Sequence, residues 1–242
     1  MCTLIVFKEM RPTKPLVVAA NRDEVADRPT RDPHWRTPGI FAPLDLVHDG
    51  SWIGINRQGL VVALTNRWPV KRVKGRRSRG LIVTEALERP SVRGATMSLI
   101  SRPADTYNGF HLLLADGQEA VLIWNDGEEY QMSELGSGFH IITGNGFEPG
   151  HSNRDLMIRG FLLGHGDDLP EPIFVRNDLL SFHGPGPEDG TCVHGEGVRM
   201  ESVSSMVITH KGKGLWAEAH WRTGRPCERG PWQKEAIDFR RE

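Results

Sequence analysis

The sequence predicts an α+β fold: a four-layer αββα sandwich of two stacked, mainly antiparallel sheets covered by helices. Three observations point there. TLIVF at residues 3–7 and PLVVAA at residues 15–20 are short, β-branched and continuously apolar, the pattern of strands covered on both faces. Strand-like runs return near the C-terminus in SVSSMVITHKGKGLWAEAHW, so the first and last strands can share a sheet. Helical patterns lie between the two sets.

The first two runs are separated by a polar, proline-containing stretch and read as a hairpin. The cluster Asn21-Arg22-Asp23-Glu24 then reads as a turn, and residues 25–50, rich in Pro, Asp and Arg, as a long surface loop. GSWIGINRQGLVVALTN gives two strands about a turn ending in Gly59. SRGLIVTEALERP and SVRGATMSLI are two short helices, the first stopped by Pro90 and the second capped by Ser91. Three strands follow in GFHLLLAD, EAVLIWND and GFHIITGN. In SNRDLMIRGFLLG, Ser152 and Asp155 have capping-box spacing. Leu156, Met157, Gly160, Phe161 and Leu163 make its expected packed face, and Gly164 its stop. A helix around IFVRNDLL, a Gly/Pro-rich loop and a last hairpin complete the chain. With no repeat or low-complexity linker, residues 1–242 are expected to form one domain.

A formal net charge of -1 provides no general attraction for nucleic acid or an anionic membrane. No apolar run reaches spanning length, and LIVF is too short for a signal sequence, so a cytoplasmic protein without membrane insertion is expected. Three cysteines without a CxxC pair argue against a disulfide framework and a structural zinc site. Cys192 and His194, with His183 and His210, match no established metal spacing and read as solvated loop residues, so neither metal nor cofactor is expected. In VKRVKGRRSRG the cations Lys71, Arg72, Lys74, Arg76, Arg77 and Arg79 crowd together. A solvated loop is the expectation, with an anion site as the alternative.

The chemistry candidates begin with Cys2. Once Met1 is removed, one residue carries both a thiol and the free α-amine. The reference pKa of that amine, about 7.7–8.0, leaves it partly unprotonated and able to take the thiol proton. The alternative is a small buried hydrophobe opening a strand. Asp23 could orient the amine and Arg22 lower the thiol pKa, with Asn21 and Glu24 completing the cluster. Asn66 and Asn145 end strands, where their amides could face an oxyanion or merely make turns. Trp52 and Trp68 border the same region as pocket walls or as core.

Together MCTLIVF, PLVVAANRDE with Arg28-Pro29 after it, SWIGINRQGLVVALTNRW, SRG and YNGFHLLLAD resemble the NRDE family, also called the transport and Golgi organization protein 2 family. That family is similar to N-terminal nucleophile hydrolases of the choloylglycine hydrolase and penicillin V acylase type. The resemblance implies an αββα sandwich with Cys2 as nucleophile, Asp23 orienting the amine, Asn66 as oxyanion donor and Asn145 as second active-site amide. Two departures stand out. The hydrolases' arginine three residues before the aspartate is Ala20 here, leaving Arg22 as a substitute. Relatives also carry an arginine where this chain has Val203, with Arg199 upstream. The resemblance thus implies either an amidohydrolase acting on a linear amide or acyl compound, or a non-catalytic carrier of haem or lipid/acyl-CoA on the same fold. Haem would then be a carried ligand rather than a cofactor. A secretory-pathway organiser is the third reading.

Overall fold

The computed structural model describes residues 2–36, 39–166, 169–212 and 214–239. Strands β1 (Thr3–Arg11) and β2 (Lys14–Glu24) form the expected hairpin, with Thr3 opposite Asn21. The free edge of β1 pairs with β10 (Gly138–Ile142), and that of β2 with β11 (Glu201–Lys211). Strands β12 (Trp216–Thr223) and β13 (Gln233–Asp238) extend this six-stranded sheet, in the order β10-β1-β2-β11-β12-β13. N- and C-terminal strands therefore share a sheet.

The second sheet is a seven-stranded meander. It comprises β3 (Thr30–Arg36), β4 (Ile40–Asp45), β5 (Ile53–Asn56), β6 (Val61–Asn66), β7 (Phe110–Ala115), β8 (Ala120–Asn125) and β9 (Tyr130–Glu134), in chain order. Helices α1 (Gly80–Leu87) and α2 (Val92–Ile100) are inserted between β6 and β7. Helix α3 (Asn153–Gly164) follows β10, and a short helix α4 (Pro172–Phe174) continues as a π-helical stretch, Val175–Leu179.

Alternation along each strand explains the four layers. Leu4, Val6, Leu16, Val18 and Ala20 pack between the sheets, against Ile53, Ile55, Ala63 and Leu113. Ile5, Phe7, Val17 and Ala19 point the other way, onto Ile158, Leu162 and Val175. On the outer face of the meander, Val62, Leu64, Leu112 and Leu114 meet Ile82, Val83 and Leu87. Because both faces are covered, the strands read as unbroken apolar runs. The expected αββα sandwich is the observed one. No helix among the described residues is long and apolar enough to cross a membrane.

Several sequence expectations need correction. Asn21 to Glu24 continue β2 rather than turning after it, because β11 pairs with them through Glu24. Residues 25–50 contain β3 and β4, not one loop. Pro33 obscured β3, yet this is an edge strand with a register shift at Arg31/His34, where a missing N–H is tolerated. Helix α3 keeps its Ser152 cap but buries Arg154, Asp155, Ile158 and Leu162, whereas Leu156, Met157 and Leu163 are exposed. Charged residues hold the inward face because they are paired there. Strands β9 and β13, mostly polar and exposed, lack the alternation that would have marked them.

One backbone contact places the SRG segment. Ser51 donates its N–H to the Gly80 carbonyl at 2.9 Å, and a Cβ on Gly50 would sit 2.4 Å from the Gly80 carbonyl carbon. Gly50→Ala is therefore expected to cost about 1–3 kcal/mol in urea unfolding. Gly160→Ala, in α3 with no atom within 4 Å of the new methyl, is expected to gain about 0.4–1 kcal/mol in the same measurement.

Candidate active site

Where β1 begins and β2 ends, the sheet opens into a cleft of about 500 Å³. The hairpin register puts Cys2 level with the Arg22–Asp23 segment, and Cys2, Arg22, Asp23, Glu24, Trp52 and Asn66 all line the cleft. Cys2 is half-buried as a residue, while its sulfur accepts a hydrogen bond from the Asp23 main-chain N–H. Burial pushes the thiol above its ordinary pKa, and the Asp23 charge adds to that, while Arg22 opposes it. Cys2 is thus a protonated thiol near neutrality and needs a base to become a nucleophile.

Asp23 is fixed from two sides. Ser202 Oγ donates to its Oδ1 at 2.7 Å, and Arg154 Nη2 reaches its Oδ2 at 3.0 Å. Arg154 is itself buried, its Nε donating to the Gly190 carbonyl at 2.8 Å. Arg22 lines the cleft and acts to lower the thiol pKa, while Arg154, from the first turn of α3, is the arginine that holds Asp23. The hydrolase-type position, Ala20, is inter-sheet core, and Val203 lines a neighbouring cavity. Arg199 lies exposed in the glycine-rich loop before β11, outside the residues that line the cleft.

The other candidates separate. Arg22 is buried with Nη1 donating to Thr30 Oγ1 at 2.6 Å, and Glu24 stands 3.6 Å from Arg28 and 3.9 Å from Arg22. Asn21 is no part of the cleft. Strand alternation turns it to the helix side, where it donates to the Leu180 and Thr191 carbonyls, both at 2.8 Å, and accepts from Ser205. Asn66 reaches the cleft with an exposed side chain. Asn145 is exposed in a turn after β10. Continuing the pairing of Leu4 with Ile142 brings that turn beside Cys2, although Asn145 is outside the cleft lining. Trp68 is 60% exposed and also outside it; its main-chain N–H holds the same turn through Gly144 at 2.6 Å. Trp52 is half-buried, and its indole N–H has no partner among the described residues. It also lines a smaller cavity of about 120 Å³, shared with Arg22 and Arg28, where the buried Ser204 hydroxyl and Trp221 indole N–H are likewise unpartnered.

The basic run is the expected loop, exposed at Lys71, Arg72, Lys74 and Arg77, and its arginines Arg72, Arg76, Arg77 and Arg79 also wall the cleft. With Arg22 and Arg28 they make six arginines against the carboxylates of Asp23, Glu24 and Asp45. Tyr107 and Asn108 pin this segment. Arg76 donates to the Tyr107 carbonyl at 3.1 Å and Arg77 to its hydroxyl at 2.7 Å, and Asn108 exchanges two hydrogen bonds with the Val73 backbone. That is the physical content of the YN in YNGFHLLLAD. Arg79 is the member of the run nearest the start of α1. It donates to the Gly109 carbonyl at 2.8 Å, and burial lowers its pKa to about 10, with Arg72 adding to the effect and Cys2 and Glu24 opposing it.

Two outcomes follow. Arg154→Ala leaves the Asp23 carboxylate buried without its cation, an expected loss of about 3–5 kcal/mol by urea denaturation; adding Asp23→Asn should recover part of it. In protein retaining Met1, alkylation of Cys2 by iodoacetamide at pH 7 should be slower than that of N-acetylcysteine. Its rate should rise through a midpoint above the usual thiol value of about 8.5.

Residues 1–154 match the family model described as Transport and Golgi organisation 2. The Transport and Golgi organization protein 2 homolog of Bos taurus is 31% identical over 125 residues, covering 48% of this chain and 45% of that protein. The Homo sapiens homolog is 32% identical over the same length and shares. The chain spans a little under half the length of the curated relatives it matches. Among solved structures, the Caenorhabditis elegans N-acylethanolamine-hydrolyzing acid amidase ortholog aligns with a TM-score of 0.60 at 15% identity, over 88% of this chain and 94% of that one. The C2A mutant of Clostridium perfringens conjugated bile acid hydrolase gives 0.53 at 11%, over 99% and 92%, and Agrobacterium tumefaciens penicillin V acylase 0.51 at 12%, over 92% and 83%. At such identities the likeness is one of fold, and the fold is that of N-terminal nucleophile hydrolases. With well over half its length matched by the family model, the chain belongs to the Transport and Golgi organisation 2 family.

Proposed function

We propose that the chain is an amidohydrolase-type enzyme acting on a linear amide or related acyl compound that bears an anionic group. One observation carries this reading: the Cys2 sulfur, a main-chain donor, the Asn66 amide and a surplus of arginines line one cleft. With Met1 removed, the Cys2 α-amine takes the thiol proton and the thiolate attacks the acyl carbon. Asn66 and a main-chain N–H stabilise the oxyanion, with Arg79 adding positive charge nearby. The ammonium returns its proton to the leaving amine, and water then hydrolyses the thioester to acid and free thiol. Asp23, locked by Arg154 and Ser202, orients the amine through its position beside Cys2.

Protein isolated from cells should have lost Met1, with cysteine in the first cycle of N-terminal sequencing. Against a library of acyl amides carrying carboxylate or phosphate groups, Cys2→Ala should abolish turnover. Asn66→Ala should lower kcat about 10²–10³-fold. Turnover unchanged in both Cys2→Ala and Cys2→Ser would end the proposal.

The arginine-rich wall also suits a carrier without chemistry, since it would hold the carboxylates of haem or the phosphates of an acyl carrier whatever happens at Cys2. A Soret shift on haem titration that survives Cys2→Ala, with no amide turned over, would favour that reading.

A further inference from the structure

We propose that His183, Cys192, His194 and Cys227 form a tetrahedral transition-metal site, of the kind that takes zinc, on the far side of the loop that braces Asp23. One ligand atom from each lies within 4.8 Å of the other three. Cys227 Sγ is 3.3 Å from His194 Nε2, the two thiols are in hydrogen-bond contact, and the His183 and His194 rings stand 4.8 Å apart at 87°. Zinc bonded to two sulfurs and two imidazole nitrogens sets its ligand atoms about 3.3–3.8 Å apart. The cluster needs to draw in by about 1 Å at most, and His183 and Cys227 are the exposed members with room to swing.

The donor set decides the class of ion. Two thiolates and two imidazoles without a carboxylate favour zinc over magnesium or calcium. Four protein ligands leave no open coordination position, so the metal would staple the structure rather than catalyse. The backbone is already held for it. Cys192 donates its N–H to the Phe182 carbonyl at 3.1 Å, one residue before His183. The Pro226 carbonyl, beside Cys227, accepts from Ser181 Oγ at 2.8 Å.

The sequence spacing concealed the set. Its fourth member comes from beyond β12, and the His210 considered in its place is buried in β11 against Phe239. The position has a consequence for the cleft. The carbonyl of Thr191, preceding Cys192, accepts from Asn21 and Arg154, and the Val193 N–H, following it, donates to the Ser202 hydroxyl bound to Asp23. A metal on Cys192 would hold the brace on Asp23 in place.

The test is metal content and Co(II) spectroscopy of the full chain purified under reductant. Turnover does not enter, so the outcome is independent of the hydrolase reading. One equivalent of zinc per chain should survive dialysis. Cobalt loading should give the d–d absorption of a tetrahedral site with thiolate charge transfer. Cys227→Ser and His183→Asn, both at exposed positions, should each weaken zinc binding by at least about 10–100-fold in competition with a chromogenic chelator. Wild-type protein that binds no zinc at micromolar concentration, a Cys192–Cys227 disulfide in the reduced preparation, or cobalt bands that persist in both variants would overturn the assignment.

Discussion

The buried ion pair between Asp23 and Arg154 is the contact on which the cleft depends. Taking a carboxylate and a guanidinium out of water is expensive, and the cost is offset only where geometry and further hydrogen bonds satisfy both groups. Here Ser202 completes Asp23, and the Gly190 and Thr191 carbonyls complete Arg154. The pair joins the last residues of β2 to the first turn of α3, tying a sheet to the helical layer over it. A hydrophobic pair could make that join, but it would not fix a strand end in one position at the edge of a solvent-filled opening.

Around this fixed point, the cleft is assembled from segments far apart in the chain. The main-chain N–H of Asp23 faces the Cys2 sulfur, while the wall opposite comes from the stretch between β6 and β7. The part of it ahead of α1, residues 67–79, has no helix or strand of its own. Tyr107 and Asn108 hold it, and α1 leans on the backbone at Gly50 where no side chain would fit. Thus the positive wall is rigid at its attachments and open where a ligand would enter.

Much of the fold was legible because strands covered on both faces leave an unmistakable apolar signature, and because Ser91 and Ser152 cap helices where the spacing says they should. What escaped was polar. Strands β9 and β13 carry no alternation, and Pro33 disguised β3. The inward face of α3 could not be told from its sequence, since Arg154 and Asp155 are inside only by virtue of partners contributed elsewhere. The site behaved the same way. Cys2, Asp23 and Asn66 are brought together as their local positions suggested, whereas Asn21 and Trp68 sit beside the cleft without lining it. Arg79 and the basic run were visible as charge but not as wall, since only the tertiary fold turns them towards Cys2.

Cys2 lines the cleft and β1 starts at the next residue, so the chain end has no slack with which to step aside. A free α-amine on Cys2 would therefore stand at the cleft together with the thiol. A group joined ahead of Cys2, such as a leader or an affinity tag, would take away the free amine that the proposed chemistry uses as its base. Handled as a fusion at its N-terminus, the protein would keep its thiol but lose that base, whereas a tag at the other end would leave the amine free.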